Sequence, residues 1–366
     1  MTSMTRPPIR RVEQGFSLIE IMVGVVIGLI AMLVIYQVFA TAEGIKRNTT
    51  SVGDAQQNGL LSSFVLGIEL ANAGNGVANA ARDLGACPGG ATFATTWRPI
   101  PVMIMDGGAD DQPDTFMVSY SVSNSVIAPA PFTSTAAANV DYPVQSPTGF
   151  QAGDMIVAVG GTPAASGRAA SKVTAVSAPD VNGVVTVSHT DPGVAATFSG
   201  SGASLFNMGP LTSSQKVRYD LTGAFVLRST SLFKADGTPN DDTSPPPNPL
   251  ASNVVNMKLL YGIDTTGSGV LTWVNANTSL WTPLELMSTT PSTNLIAQLK
   301  TLKAVRIGLI VRGEQWDRDA PDVSWTLFGG HLNGGYEGTF PSVGGNFRYR
   351  TYETIIPIRN ELWNAI

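Results

Sequence analysis

The sequence predicts an α+β protein, in which a long N-terminal α-helix packs on an antiparallel β-sheet domain that carries a β-rich insertion. Three features of the 366 residues lead to this fold class. Residues 21–42 contain no charged side chain and can form one apolar helix. Apolar residues then recur at steps of three and four up to residue 70, which is typical of a helix with one buried face. From residue 100 onward, short β-branched segments alternate with Gly, Pro, Asn and Asp, which indicates strands and turns.

The first half of the predicted helix is long enough to cross a bilayer. Residues 21–42 span roughly 33 Å at about 1.5 Å per residue, against a hydrocarbon core of about 30 Å. A short leader with Arg6, Arg10 and Arg11 precedes this segment, so its basic end should stay in the cytoplasm. Lys46 and Arg47 lie beyond the far end, and they weaken this orientation without reversing it.

Two ordinary interpretations compete for this segment. A secretory signal peptide would need a shorter apolar region followed by a small-residue cleavage site. Here Gly15 comes before the apolar run, and no such site stands out soon after it. A plain signal anchor would leave Glu20 as an accident of the membrane edge, although an ionisable group in that place is costly and usually functional.

The string GFSLIE at residues 15–20 favours a third interpretation. It resembles the type IV prepilin signature, in which a glycine, a phenylalanine and a glutamate at the fifth mature position precede an apolar helix. The resemblance implies that residues 1–15 are a leader, that a prepilin peptidase cuts between Gly15 and Phe16, and that the new amine of Phe16 is methylated. It also implies that Glu20 pairs with the Phe16 ammonium of a neighbouring subunit, because an unpaired carboxylate in lipid is unfavourable.

The whole helix is expected to cover residues 16–73, with the transmembrane segment at 16–42. Four glycines between residues 44 and 67 argue against a straight helix, since each costs about 1 kcal/mol relative to alanine. The predicted buried face of the second half consists of apolar residues: Val52, Leu60, Leu61, Phe64, Val65, Ile68 and Leu70.

Composition limits the functions that the chain can have. Charged residues make up 13% of the chain and the formal net charge is −5, which argues against a general nucleic-acid surface. Removal of the leader, with three Arg and one Glu, would make the mature chain more negative. Cys87 is the only cysteine, so an intrachain disulfide cannot form.

Residues 74–366 are predicted to form a β-rich globular head. Residues 114–121 alternate as a strand does, and residues 216–229 are typical of a hairpin. Residues 122–205 have very low charge and three β-branched segments, which predicts a small β-rich insertion. Residues 235–250 include three consecutive prolines and are predicted to be a loop. Further strand or helix candidates are 253–263, 304–312, 324–328 and 349–359, with a short helix at 295–302.

Several segments together resemble the PilW family of minor type IV pilins. They are IELANAGNGVANAARDLGACPG after the helix, VVNMKLLYGIDTTGSG at 254–269, LKAVRIGLIVR, and TYETIIPIRN at 351–360. The similarity runs over most of the chain, but only the N-terminal motif is sharp. The terminal IPIRN is shared in kind with the J-type minor pseudopilin of type II secretion, whose smaller size fits this chain less well.

A search for catalytic or metal-binding patterns finds none that is specific. His189 and His331 are far apart, so each is better explained as a structural or surface residue. There are two acidic clusters: Asp106, Asp110, Asp111 and Asp114 form the first, and Asp236, Asp241 and Asp242 form the second. Neither has EF-hand spacing, and solvated loops explain them better than calcium binding does. A third acidic group lies near Trp316 and Trp325 and consists of Glu314, Asp317, Asp319 and Asp322. Carboxylates beside aromatic rings could suggest sugar binding or hydrolysis, although a polar loop explains this group better. We therefore predict no catalytic residue, metal or cofactor.

The resemblance implies a non-enzymatic minor pilin that takes part in type IV pilus assembly, primes the fibre and lies at or near its tip. A tip adhesin-like binding module, or a minor pseudopilin of type II secretion, is the alternative. The expected partners are the prepilin peptidase, other minor pilins, the major pilin and, as a further candidate, a large tip adhesin. The expected location is the bacterial inner membrane, with the head in the periplasm, and then the pilus.

Overall fold

The computed structural model describes residues 15–75, 100–122, 129–145, 149–160, 168–199, 202–211, 216–234, 236–243, 245–287, 297–317, 321–329, 335–340 and 346–359. The chain divides into two compact units, with the boundary between Thr50 and Ser51. One helix, α1 (Leu18–Asn72), contributes to both units.

The first unit is an exposed apolar helix. The backbone N–H of Ile21 donates to the carbonyl oxygen of Ser17 at 3.1 Å, which starts the helical hydrogen-bond pattern. The most apolar window of α1 has a mean hydropathy of 2.9 and none of it is buried. The helix is therefore long and apolar enough to cross a membrane, and its side chains there have no protein core to pack against.

The second half of α1 packs on the head through a different face from the one predicted. Of the seven predicted residues only Leu70 is buried; the buried positions are Ser51, Ala55, Gly59, Ser62, Leu66 and Leu70. The reason is close approach between helix and sheet. The Tyr352 ring fills the space where a side chain at Gly59 would lie, and Ser51 does the same at Gly313. Small residues up to Ser62, followed by Leu66 and Leu70, therefore form the contact at steps of three and four, and Leu60, Phe64 and Ile68 point away from it.

The head contains nineteen strands among the described residues. The first ten are β1 (Val102–Met105), β2 (Thr115–Ser119), β3 (Ala130–Pro131), β4 (Ala136–Ala137), β5 (Tyr142–Gln145), β6 (Asp154–Val159), β7 (Arg168–Val176), β8 (Val184–His189), β9 (Thr197–Phe198) and β10 (Ser204–Pro210). The others are β11 (Lys216–Leu221), β12 (Leu227–Ser231), β13 (Asn248–Ala251), β14 (Val254–Ile263), β15 (Thr272–Val274), β16 (Leu302–Arg312), β17 (Val323–Leu327), β18 (Tyr336–Phe340) and β19 (Tyr349–Pro357). Short helices at Ser279–Trp281 and Pro283–Leu286 follow β15, and residues 297–299 are helical just before β16.

Two antiparallel sheets and α1 enclose the main hydrophobic core. The first sheet has the order β1-β2-β11-β12-β13 and the second has the order β15-β14-β16-β19. Helix residues Ala55, Leu66 and Leu70 are fully buried in this core with side chains from both sheets. The hairpin β17–β18 covers part of the second sheet, where Phe328 and Leu327 lie against Gly308. The predicted α+β layout is confirmed.

A closed six-stranded barrel interrupts the first sheet. Its order is β3-β10-β6-β7-β8-β5, and an antiparallel bridge between Phe132 and Val144 joins the two outer strands. The barrel has its own core, which includes Tyr142 and Phe198. It lies in the chain between β2 and β11, which are antiparallel neighbours with Ser119 opposite Lys216. The barrel thus replaces the turn of a β2–β11 hairpin.

Most of the predicted strands are present, and two predictions need correction. The predicted hairpin at 216–229 is confirmed as β11–β12. The predicted loop 235–250 is wrong at its end, because β13 begins at Asn248. Pro249 is tolerated there since β13 is the outer strand of its sheet. The predicted helix 295–302 is helical at 297–299, but Leu302 already begins β16, and 295–296 lie outside the described residues.

Candidate functional site

The N-terminal motif lies at the exposed start of α1. Apart from its chain neighbours, no described residue has an atom within 4 Å of the position that a side chain at Gly15 would take, and Phe16 is 80% exposed. Glu20 lies in the first turn of α1, among exposed apolar side chains. The bond between Gly15 and Phe16 therefore lies just outside the helix, which begins at Leu18.

The second half of α1 has an exposed apolar stripe opposite its contact with the head. Leu60, Phe64 and Ile68 follow one another at four-residue steps and are 56%, 67% and 45% exposed. This stripe contains three of the seven residues that the hydrophobic periodicity assigned to the buried face, whereas Leu70 is buried as predicted. The rest of the contact was missed because Ser51, Ala55, Gly59 and Ser62 carry little hydrophobic signal, although their regular spacing is visible in the sequence.

The first acidic cluster is neutralised from within the protein. The ammonium of buried Lys258 lies 3.1 Å from Asp114 Oδ1, 3.9 Å from Asp106 Oδ1 and 3.0 Å from the Ala109 carbonyl oxygen. Burial raises the pKa of Asp114, while Lys258 and the N–H groups of Gly107 and Leu259 oppose that rise. An amine thus occupies the place that a cation bound by these carboxylates would take, which argues against a calcium site there.

The second acidic cluster is joined to two arginines. Arg218 lies 2.9 Å from Asp220 and 2.7 Å from Asp242, and Arg228 contacts the same two carboxylates. Asp241 pairs with Lys234 at 3.1 Å, and Asp236 accepts hydrogen bonds from Thr238. These charges stabilise the β11–β12 hairpin and the loop after it.

The remaining predicted candidates do not form a catalytic arrangement in the described part of the chain. Asp317 pairs with Arg348 at 2.6 Å. Trp325, in β17, is buried in the cluster between the β17–β18 hairpin and the second sheet. His189 stacks on Tyr142, with its ring nitrogens 2.8 and 2.9 Å from two backbone carbonyl oxygens. Among the described residues, no group of three or more His, Cys, Asp or Glu could hold a metal ion. Cys87, Asp319 and His331 lie outside the described residues.

Comparison with protein families gives two matches on separate parts of the chain. Residues 10–36 match the prokaryotic N-terminal methylation motif. Residues 218–360 match the family described as type IV pilus-assembly protein W, PilW. Over these residues, the chain is similar to type IV pilins of the PilW family. No curated protein and no solved structure matches it.

The two matches cover different structural parts of the chain. The methylation motif covers the exposed start of α1, including Gly15, Phe16 and Glu20. The PilW match begins within β11 and continues through β19. The barrel, from β3 to β10, lies outside both matches. The motif implies processing by a prepilin peptidase and assembly with other pilins, and the apolar helix implies membrane anchoring.

Proposed function

We propose that this chain is a minor pilin of the PilW family that primes assembly of a type IV pilus and lies at or near its tip. The observation that carries the proposal is an exposed apolar helix with one carboxylate, Glu20, in its first turn, in a chain that also has a PilW-type head. An apolar helix without a protein core needs either lipid or other helices around it. A pilin uses lipid before assembly and neighbouring subunits afterwards.

Cleavage between Gly15 and Phe16 is the first step of the proposed pathway. Gly15 precedes the helix and has open space around it among the residues that the structure describes, which suits the approach of a peptidase. Cleavage of residues 1–15 creates an ammonium at Phe16. Glu20 then has a positive partner on a neighbouring subunit, and the pair forms only in the assembled arrangement.

The second half of α1 supplies a further assembly contact in this proposal. The stripe of Leu60, Phe64 and Ile68 is apolar, exposed and continuous along one helix face. In this proposal, helices of other pilins pack on the stripe, which gives these three apolar residues a partner outside the head.

We propose the domain organisation 1–15 leader, 16–73 helix with a transmembrane segment at 16–42, and 74–366 head with an insertion at 122–205. The barrel makes the head bulky. In a helical fibre, each subunit must leave room for the next one, so a bulky head is easiest to place at the end that emerges first. The partners are then the peptidase, other minor pilins, the major pilin and, as a further candidate, a large tip adhesin. The head would lie in the periplasm before assembly.

A second candidate function has one observation in its favour. The barrel has its own core and lies outside the PilW match, as expected for a separate binding module at the tip. Such an adhesin-like role is compatible with priming. A minor pseudopilin of type II secretion would share the N-terminal features. We propose a structural role in each case, without enzymatic activity, cofactor or nucleic-acid partner.

The test of the processing step is mass spectrometry of the protein from a host that has its prepilin peptidase. The mature chain should begin at methylated Phe16. Gly15→Leu should leave an uncut precursor in the membrane, whereas Ser3→Leu, in the same leader, should be cut normally. An intact Met1 in wild-type protein, or a cut elsewhere, would contradict the proposal.

A further inference from the structure

The second sheet ends on one side in β19, whose outer edge has no strand beside it among the described residues. β19 pairs with β16 in unbroken register, from Tyr349 opposite Arg312 to Pro357 opposite Ala304. A long regular edge offers a row of backbone donors and acceptors to another extended chain, and proteins usually blunt it with bulges or prolines. β19 has no bulge, and its only proline is its last residue.

The outward-facing backbone groups can be assigned from the two ends of the ladder. At one end, the N–H of Gly313 donates to the Arg348 carbonyl oxygen at 2.7 Å. At the other end, the N–H of Ile358 donates to the Lys303 carbonyl oxygen at 2.9 Å. Bonded positions alternate in an antiparallel pair, so the even-numbered residues of β19 face β16. The odd-numbered residues point their N–H and C=O groups outward: Tyr349, Thr351, Glu353 and Ile355. No hydrogen bond reaches these outward groups from the residues that the structure describes.

The side chains leave this edge open and give it a chemical preference. The Glu353 carboxylate does not block the edge, because it accepts hydrogen bonds from Arg306 Nη2 and from the N–H of Phe328, both at 2.8 Å. Thr351 is exposed and Ile355 is 52% exposed, and both are β-branched, which suits cross-strand packing. Exposed Arg350 adds a positive charge, which favours a partner strand with a carboxylate.

A second copy of the chain, paired antiparallel at this edge, does not fit a fibre whose subunits all point the same way. Where they approach each other, β19 and α1 run in the same direction: Ser51 lies against Gly313, whose N–H donates to the Arg348 carbonyl oxygen, and Ala55 and Gly59 then contact Tyr352. Two β19 edges paired antiparallel would be related by a two-fold axis. Their helix segments 51–72 would then point in opposite directions, whereas the subunits of a helical fibre repeat one heterologous contact and point the same way.

We propose that the outer edge of β19 receives an extended strand from a different pilin of the same filament. The partner strand places apolar side chains beside Thr351 and Ile355 and a carboxylate near Arg350. This inference rests on the proposed function, since it names the contact through which the head recognises a neighbouring subunit.

The test is co-purification of the full-length protein with the co-expressed pilins of its own system, in a host with the prepilin peptidase. Thr351→Pro removes one outward N–H and leaves the ladder to β16 intact, while the control Thr351→Val keeps that N–H. Recovery of the partner pilin should be at least about tenfold lower for Thr351→Pro than for Thr351→Val, which corresponds to the loss of one hydrogen bond and its strand geometry. Amide exchange at residues 351, 353 and 355 should slow in the wild-type complex, with little change at 350, 352 and 354.

Thermal unfolding of each variant checks the fold, and Ile355→Lys is the second variant if Thr351→Pro does not fold. Equal recovery with both variants, or unchanged exchange at the odd-numbered amides in a formed complex, would overturn the edge proposal and leave the pilin function standing. A wild-type chain that is cut and inserted but recovers no pilin would overturn both. If the odd-numbered amides of β19 already exchanged slowly in the purified protein without any other pilin, a second copy would be the occupant, and the choice of partner would be wrong.

Discussion

At the scale of single residues, the charges of the head and the charge of the apolar helix have different explanations. Lys258 and Asp114 satisfy each other inside the head, as do Arg218 and Asp242 near the β11–β12 hairpin. Glu20 has no ion pair in the described part of the chain. A carboxylate in an apolar helix needs an external partner, which is why Glu20 is the charged residue most closely tied to assembly.

Glu20→Val should separate insertion from assembly. The variant should still insert and be cut at Gly15, because its helix is more apolar. It should dock more weakly on the neighbouring subunit, since the Phe16 amine there loses its partner, and breaking one half of a desolvated pair costs on the order of 3–5 kcal/mol. Pilus counts and co-purification with other minor pilins measure this effect. Unchanged values would mean that Glu20 is a tolerated carboxylate at the membrane boundary.

Lys216 is a second residue whose environment makes a clear prediction. It is 2% exposed, and its ammonium has no hydrogen-bond partner among the described residues. Burial lowers the pKa of Lys216 to about 7, while Asp154 opposes this. Between this value and the ordinary lysine pKa of about 10.4, the unfolded chain binds more protons than the folded one. The stability of the head should therefore rise with pH across that window.

Lys216→Met should remove this rise and stabilise the head at pH 7 by an amount on the order of a few kcal/mol, since each pKa unit is worth about 1.4 kcal/mol. Denaturant unfolding at several pH values measures both effects. Lys300→Met is the control, because Lys300 is exposed. A variant with the wild-type pH dependence would show that the Lys216 amine is solvated in the folded protein.

At the scale of elements, the second half of α1 has two faces with different purposes. Its small residues approach the sheet closely, as Gly59 does under the Tyr352 ring. Leu66 and Leu70 are also buried, but the large apolar residues Leu60, Phe64 and Ile68 face outward. A helix of an isolated globular protein would have polar residues on that outer face. The arrangement is consistent with a helix that packs on its own head and on other helices.

The two faces can be tested with matched serine substitutions. Phe64→Ser should leave the melting temperature of the head nearly unchanged, because Phe64 is 67% exposed, but it should reduce incorporation into pili. Leu66→Ser should destabilise the head by about 2–5 kcal/mol, since Leu66 is fully buried in the main core. Thermal unfolding and immunoblots of sheared pili measure the two effects. Normal incorporation of Phe64→Ser would show that the exposed stripe is not part of the assembly contact.

At the scale of the whole molecule, the barrel is an insertion with a core of its own, and its strands also pack on Phe233, after β12, through Met155 and Phe206. β2 and β11 are neighbours, so a short turn can connect them. The barrel core includes Tyr142 and Phe198, while the main core lies between α1 and the two sheets. The PilW match also excludes the barrel. Assembly and any tip-binding role can therefore reside in different parts of one chain.

Replacement of residues 122–214 by an Asn-Gly turn should leave a folded head and preserve pilus assembly, because the β2–β11 pairing remains. Surface attachment should fall if the barrel is a binding module. Circular dichroism, pilus counts and attachment assays measure these outcomes. If the folded variant made no pili, the barrel would belong to the priming interface instead. In sheared wild-type pili, the protein should be far less abundant than the major pilin, and its presence as the main component would overturn the tip assignment.

The sequence by itself determined the local features of this protein. The apolar run at 21–42, the GFSLIE string and the β11–β12 hairpin depend on neighbouring residues, and patterns along the chain record such short-range preferences. Only the tertiary structure decided which face of α1 is buried, that β3 and β5 meet to close a barrel, and that Lys258 neutralises Asp114 from 144 residues away. Those features depend on contacts between distant segments, where the fit of a ring against Gly59 or an amine against a carboxylate outweighs the local pattern.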